Sequence, residues 1–527
     1  MKRPGATTTM RRLILIIMIG GLLRVFGIWF GLPYPFARPD EDVATSKAME
    51  LLATGDPNPH FFHWPSLIFY LFAAVYSLAV FINGSTQTPS LGVHEQLLLA
   101  RLVVAGAGTA TLFVLFRIGN RVVDESTGLI AASLLAVAVL HVRESHFAMT
   151  DVLMTLFVMI SLLWLLRAVE EPNRQVALRW FAASGLAAGL AASTKYSGVA
   201  VAAALLPVFL ARTSRSFVSR DAWLPVLAFG GSLACAFAVA TPYSFLDPGP
   251  FIDGFRFTFF HLAAGQNVNV GRGWSYHLTH SLPFGVGLLT FAAAIPGSVA
   301  MVRRHPAQSA VLGAFGAFFY VSIGSGYLVF FRYVLPLLPL VCLAAAVGLG
   351  VGAHWLSRRT ALSHRASIGL LMAVVAGPGL VNSVWLDVLL ARPDSRVLAA
   401  RWLEAHVQPG DSFYDSGGRY VAIDLSRTRY ERVSYDDNTA AFNATGVSKP
   451  DWLVLHESPL VGYTDVPQPV KAIAEQEYIL MAVIDGTPRL PGAAIYDAQD
   501  LFFLPVWGMW TVERPGPTIR IFRRKVV

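Results

Sequence analysis

Apolar runs of about 17 to 25 residues recur from the start of the chain to about residue 390, with short polar segments between them. Runs of that length match the hydrocarbon core of a bilayer and predict membrane-spanning helices. Eleven spans follow: 12–31, 98–118, 127–142, 150–167, 177–193, 197–211, 222–240, 281–301, 308–326, 334–356 and 367–390. A further apolar run covers about 64–82. Beyond 391 the pattern changes. "RPDSRVLAARWLEAHVQPGDSFYDSGG" reads as an amphipathic helix, a turn and a strand, and "DWLVLHE", "YILMAVI" and "TIRIFRRKVV" read as further strands. The expected fold is a polytopic α-helical membrane domain over 1–390, followed by a soluble α/β domain over 391–527. No internal repeat or low-complexity tract interrupts either part.

Composition agrees with that pattern. Charged residues are 14% of the chain, against about a quarter in soluble domains. The net charge of +8 would suit nucleic acid. The positives, however, flank apolar runs (Arg11/Arg12, Arg303/Arg304, Arg358/Arg359, Arg365), which is how cytoplasmic loops are marked, so nucleic acid is excluded as a partner. Cys235 and Cys342 lie inside apolar runs and imply no disulfide framework. The first run follows "MKRPGATTTMRR" without a small-residue cleavage site and reads as an uncleaved anchor.

Charge also sets the topology. The segments "RAVEEPNRQVALR", "RTSRSFVSR", "RRHPAQ" and "SRRTALSHR" are basic and belong in the cytoplasm, as does "RIGNR". With the N-terminus inside, the run at 64–82 then lies in the interface or re-enters instead of crossing. The segments 32–63, 143–150, 194–196, 241–280 and 327–333 all emerge on the outer face, together with 391–527.

Candidate chemistry gathers on that face. "PDED" at 39–42 presents Asp40 and Glu41, and Asp40 either N-caps a helix beginning at Glu41 or does chemistry. Asp151 opens another span, where a carboxylate is costly and usually functional, although it too could be a cap. Lys195 and Tyr196 sit at a tight break among small residues, and Arg332 and Tyr333 sit at another outer helix entrance. Arg binds phosphate through paired hydrogen bonds and Lys as a point charge. Carboxylates with Lys and Arg suit a hydroxyl nucleophile and a lipid-phosphate leaving group: the carboxylate takes the proton and the cations stabilise the phosphate. His60 and His63 have a spacing that admits a divalent metal, though a phosphate held by Lys and Arg does not require one. The loop 241–280 should carry a short amphipathic helix with Arg256 and His261 over the cavity.

These residues, in this order, resemble the C-class integral-membrane glycosyltransferases, specifically the protein O-mannosyltransferase and aminoarabinose-transferase lineage. The resemblance covers most of 10–390 and rests on "PDE" at 39–41, "WPSLIFYL" at 64–71, "HFAMTD" at 146–151, "GLAAGLAASTKYSG" at 185–198, "TPYSFLDP" at 241–248 and "RYVLPLLP" at 332–339. It implies that Asp40 is the catalytic base, that Asp151 shapes the site, and that Lys195 binds the lipid phosphate. It also implies that 64–82 is a juxtamembrane helix. Where the aminoarabinose transferases carry a Glu-Lys pair before the Pro of the following helix, this chain reads "HFFHWP", which speaks against an aminosugar donor. The expected activity is inverting transfer of a sugar from a polyprenyl-phosphate donor to an acceptor hydroxyl on protein, lipid or glycan, at the outer face of a bacterial inner membrane. The alternative is a transporter or flippase of a lipid-linked sugar, but a transporter should keep its polar groups near the bilayer midplane.

Overall fold

The computed structural model describes residues 6–84, 91–213, 220–425, 430–443, 449–486 and 492–525. Most of the basic loop expected at 212–220 lies outside them. The chain forms two compact units: Met1–Phe26 with Val43–Val384, and Gly27–Asp42 with Trp385–Val527. The short segment Gly27–Asp42, which the sequence places in the membrane domain, thus folds with the C-terminal residues.

The first unit is helical. Among the described residues, seven helical stretches are long and apolar enough to cross a bilayer: Val93–Val122, Thr150–Glu170, Arg174–Thr194, Ala222–Ala240, Pro306–Gly324, Phe331–Arg359 and His364–His406, the last made of helices His364–Leu390 and Ser395–His406. An eighth is counted if the bent pair Gly273–Val286 and Leu288–Arg304 is one span. The eleven expected spans differ from this at identifiable places. The run at 127–142 is not one helix: it breaks between Glu125–Ala136 and Val139–Glu144. The run at 281–301 is bent by 109° at Gly287, whose φ of 94° only glycine adopts readily. Hydropathy registers the length of an apolar run and not its path. The run at 64–82 forms the 16-residue helix Leu67–Ile82, shorter than the about 20 residues a crossing needs.

Lipid gives helices no hydrophobic reason to associate, so close backbone approach through small residues does that work. Helix Arg174–Thr194 meets helix Arg220–Ala240 through Gly185 and Gly189, where an added Cβ would strike the carbonyls of Phe229 and Leu233. Helix Leu288–Arg304 meets helix Leu338–Arg359 in the same way, Gly297 lying on the carbonyl of Ala344 and Gly348 on that of Ala293. Leu227, Ile295 and Val302 are exposed on other faces, as lipid-facing side chains are. The buried Arg24 is answered from the backbone. Its guanidinium donates to the carbonyls of Leu135 and Ala136 at 3.1 and 3.2 Å, the last turn of helix Glu125–Ala136, and to His141 Nδ1 at 2.9 Å. A cation at a helix C-terminus satisfies orphan carbonyls and the macrodipole together.

The second unit is built on a six-stranded sheet of β1 Ser412–Asp415, β2 Glu431–Asp436, β3 Ala441–Asn443, β4 Trp452–Glu457, β5 Tyr478–Ile484 and β6 Thr518–Arg524. The order is β3-β2-β1-β4-β6-β5. β1 is parallel to β2 and β4, while β6 is antiparallel to β4 and β5. β4 alternates: Trp452 and Val454 pack with Ala399 and Leu403 of helix Ser395–His406. Leu453 and Leu455 pack with Val470 and Ala474 of helix Gln468–Glu477 on the other face. A period of two on a strand covered on both faces gives this continuous apolar run.

Two outcomes follow from this packing. Gly348→Leu should lower the thermal stability of the detergent-solubilised chain by about 1–3 kcal/mol through overpacking. Gly350→Leu, on the same helix with nothing within 4 Å of its added Cβ, should change it little. The second outcome concerns His456, buried beside Asp415 at 3.2 Å, whose pKa is lowered because desolvation outweighs the attraction of the carboxylate. The unfolded chain takes up this proton below about pH 6.5, whereas the folded chain resists it. Stability should therefore fall as pH drops from about 6.5 toward the depressed folded value. His456→Gln should flatten that part of the melting-temperature profile.

Candidate functional site

Asp151, Lys195, Arg332 and Tyr333 converge in the first unit. Asp151 stands in the first turn of helix Thr150–Glu170, but its cap residue is Met149, which makes no side-chain cap bond. The carboxylate turns instead to Lys195, whose Nζ lies 2.7 Å from Oδ1. Lys195 follows the last residue of helix Arg174–Thr194 in extended backbone, and the 3₁₀ helix Tyr196–Ala204 begins immediately after it. That reversal is tight because Gly198 packs on the backbone of Ala191, where a Cβ has no room. Two apolar elements so join at the one residue whose charge they cannot bury.

Arg332 and Tyr333 come from the 3₁₀ segment Phe331–Leu337. Arg332 Nε lies 3.9 Å from Asp151 Oδ2, and its guanidinium carbon sits 4.0 Å from the ring centre of Phe330. Lys195 Nζ lies 4.5 Å from the ring centre of Tyr333. Asp151 is 1% exposed, Arg332 7% and Lys195 23%, so the lysine presents the accessible charge. Asp151 faces both cations, and the buried Glu144 also acts on Lys195. The second oxygen of Asp151, Oδ2, is buried without a hydrogen bond, and an ammonium carries more donors than the one Asp151 uses. Such a cluster can hold a further anion.

The other expected residues lie beside segment 58–64. Tyr196 Oη donates to the Phe62 carbonyl at 2.8 Å. The loop 241–280 carries a 17-residue helix, Pro248–Ala264, longer than the short one expected. Its Phe257 stacks on His63 at 4.0 Å and on His261 at 5.5 Å, and its Thr258 hydroxyl donates to the His63 carbonyl at 2.8 Å. His60 is bound instead to Asp56 at 3.0 Å. Among the described residues no three His, Cys, Asp or Glu side chains are placed to hold a metal ion.

Asp40 belongs to the second unit and adopts a φ of 72°, the left-handed region that Asp enters more readily than most residues. Glu41 is fully buried. Two residues before Asp40, the buried Arg38 donates to Asp500 at 2.5 Å. Two residues after it, Asp42 accepts from Arg419 at 2.7 Å and from Tyr420 Oη at 3.3 Å. Sequence reasoning missed Arg38 and Asp500, whose separation of 462 residues leaves no local signal. It also missed Phe330 and Phe257, which only their position beside a cation or a histidine could have marked.

Comparison with known proteins places this geometry. Residues 90–240 match the family described as dolichyl-phosphate-mannose-protein mannosyltransferase. A curated relative, the undecaprenyl phosphate-alpha-4-amino-4-deoxy-L-arabinose arabinosyl transferase of Pseudomonas aeruginosa (strain LESB58), is 26% identical over 342 residues. That match takes in 61% of this chain and 58% of the relative, so the chain spans less than two thirds of that protein's length. Among solved structures, ArnT from Cupriavidus metallidurans in the apo state aligns over 98% of both chains at 15% identity, with a TM-score of 0.51. The Archaeoglobus fulgidus oligosaccharyltransferase in the apo form aligns over 78% of this chain and 62% of its own, at 13% identity and a TM-score of 0.52. The chain is a multi-pass membrane protein that shares its fold with the ArnT structure and, over 90–240, is similar to the mannosyltransferase family.

Proposed function

We propose that this protein transfers a sugar from a polyprenyl-phosphate donor to an acceptor hydroxyl, with the lipid phosphate seated at Lys195 and Arg332. The observation that carries this reading is the approach of both cations to the carboxylate of Asp151, with the lysine the most accessible of the three. The relative whose name specifies an undecaprenyl-phosphate sugar supports the donor class. Transfer is assigned to the extracytoplasmic face of a bacterial inner membrane, following the loop charges.

In the proposed reaction the acceptor oxygen attacks the anomeric carbon from the side opposite the phosphate. The bond from that carbon to the phosphate oxygen breaks, and the configuration inverts. The acceptor proton passes to the carboxylate of Asp40, the general base. The bonding pair leaves with the phosphate, which goes from diester to monoester and gains a negative charge. Lys195 and Arg332 stabilise that charge as it develops. Asp151 holds the lysine in place.

Asp40→Asn should lower turnover by about 10²–10⁴-fold with donor binding retained, because the amide keeps the shape and cannot take a proton. A mere helix cap predicts wild-type transfer, since Asn caps as well as Asp. Lys195→Ala should weaken binding of undecaprenyl phosphate and also slow transfer. The measurements are transfer of labelled sugar from undecaprenyl-phosphate mannose and undecaprenyl-phosphate aminoarabinose in detergent, and a binding assay on the same samples. Asp151→Asn should destabilise the chain by about 3 kcal/mol by leaving neighbouring cations unanswered. Asp151→Asn combined with Lys195→Met should recover part of that loss, and a double-variant loss equal to the sum of the two single losses would show that the pair is not coupled.

A further inference from the structure

The central strands of the second unit, β1 and β4, lie side by side and run parallel. From β1 the chain goes to β2 on one side, and β4 is followed on the other side by β6 and β5. At such a divergence an open α/β sheet leaves a crevice beyond the carboxyl ends of the two strands, the usual place for a ligand. Here the chain's own segment 27–42 is held by the turn that leaves β1 and by the connection from β5 to β6, which lies at that same end of the sheet.

The turn after β1 contributes Arg419 and Tyr420, which bind the carboxylate of Asp42. The ring of Tyr420 lies edge-on to Phe36 at 6.2 Å. Arg396 donates to the Tyr420 carbonyl at 2.6 Å, is held by both oxygens of Asp394, and stands 4.5 Å from the ring centre of Tyr34. Leu460, which follows β4, packs with Val421, Leu501 and Phe503. The same 500–503 stretch supplies Asp500 to Arg38 and the ring of Phe502 to Phe30 at 5.8 Å. Segment 27–42 is therefore tied at Phe30, Tyr34, Arg38 and Asp42, and the last two ties flank Asp40 at one residue's remove on each side.

We infer that the C-terminal unit positions the base: its ligand crevice is given over to clamping the segment that carries Asp40, with Asp500, Arg419 and Tyr420 as positioning residues. The inference rests on Asp40 being the base, as proposed above. It gives the left-handed turn at Asp40 a purpose. A carboxylate on a left-handed turn points one way as long as both neighbours are held. Removing either tie lets the turn relax and misplaces the proton acceptor, and small misplacements of a reacting group cost large factors in rate.

The test uses the full chain in detergent, with Asp500→Asn for the buried tie and Arg419→Ala for the exposed one. Arg419 is 67% exposed, so its removal leaves the fold intact even if Asp500→Asn does not. Amide hydrogen exchange over 36–42 should rise about tenfold or more in each variant. Turnover of whichever of the two donors is used should fall about 10- to 100-fold, with the KM for donor unchanged. Arg419→Lys should restore part of the rate. In an Asp40→Asn background neither change should cost anything further, because the residues act through that carboxylate. Unaltered exchange and turnover in a folded Arg419→Ala protein would overturn the inference, as would an equal loss in the Asp40→Asn background. Failure of the base assignment looks different: Asp40→Asn itself would turn over at the wild-type rate while exchange over 36–42 still responded to the two variants.

Discussion

A carboxylate buried among apolar helices must be answered by a cation, and the cation must then be kept where it is. Asp151 is that carboxylate. Its ion pair with Lys195 ties the start of one long helix to the end of another, and its approach to Arg332 brings in a third element. Each of those element ends is fixed by something simple: an extended Met149, a Gly198 with no room for a side chain, a 3₁₀ turn containing Pro336. The charges are affordable in a membrane only as a group.

The helices behind this cluster are held by small residues, which makes them a firm scaffold without a large apolar interface. Gly185 and Gly189 set one close pair, Gly297 and Gly348 another. Functional groups mounted at the ends of such helices are placed more accurately than groups on free loops. The one long loop, 241–280, is itself helical over Pro248–Ala264 and is anchored by Thr258 to the backbone of His63.

Much of this was readable from the sequence, for physical reasons. Apolar runs of bilayer length announce spans, and Asp151, Lys195 and Arg332 stand out because charge at a span end is costly. The strands of the second unit appear where β-branched and aromatic residues cluster between turn residues, at 451–457, 478–484 and 518–524. What stayed hidden depends on three dimensions. Nothing in "AASLLAVAVLHVRE" shows that the helix breaks after Ala136, since the residues on both sides of the break, "LLAVAVL", are all apolar. Nothing near Arg38 shows that its partner is Asp500, so the allegiance of residues 27–42 to the C-terminal unit could not be read. His63 and His261 look like separate candidates until Phe257 stacks between them.

The central claim is that Lys195 and Arg332 form the seat of a lipid phosphate. The most direct measurement is a structure of the chain with undecaprenyl phosphate bound. The account predicts phosphate density within hydrogen-bonding distance of Lys195 Nζ and the Arg332 guanidinium, with the carboxylate of Asp151 still on the far side of the lysine. Phosphate bound elsewhere, with the Asp151–Lys195 pair unchanged and closed to it, would contradict the account.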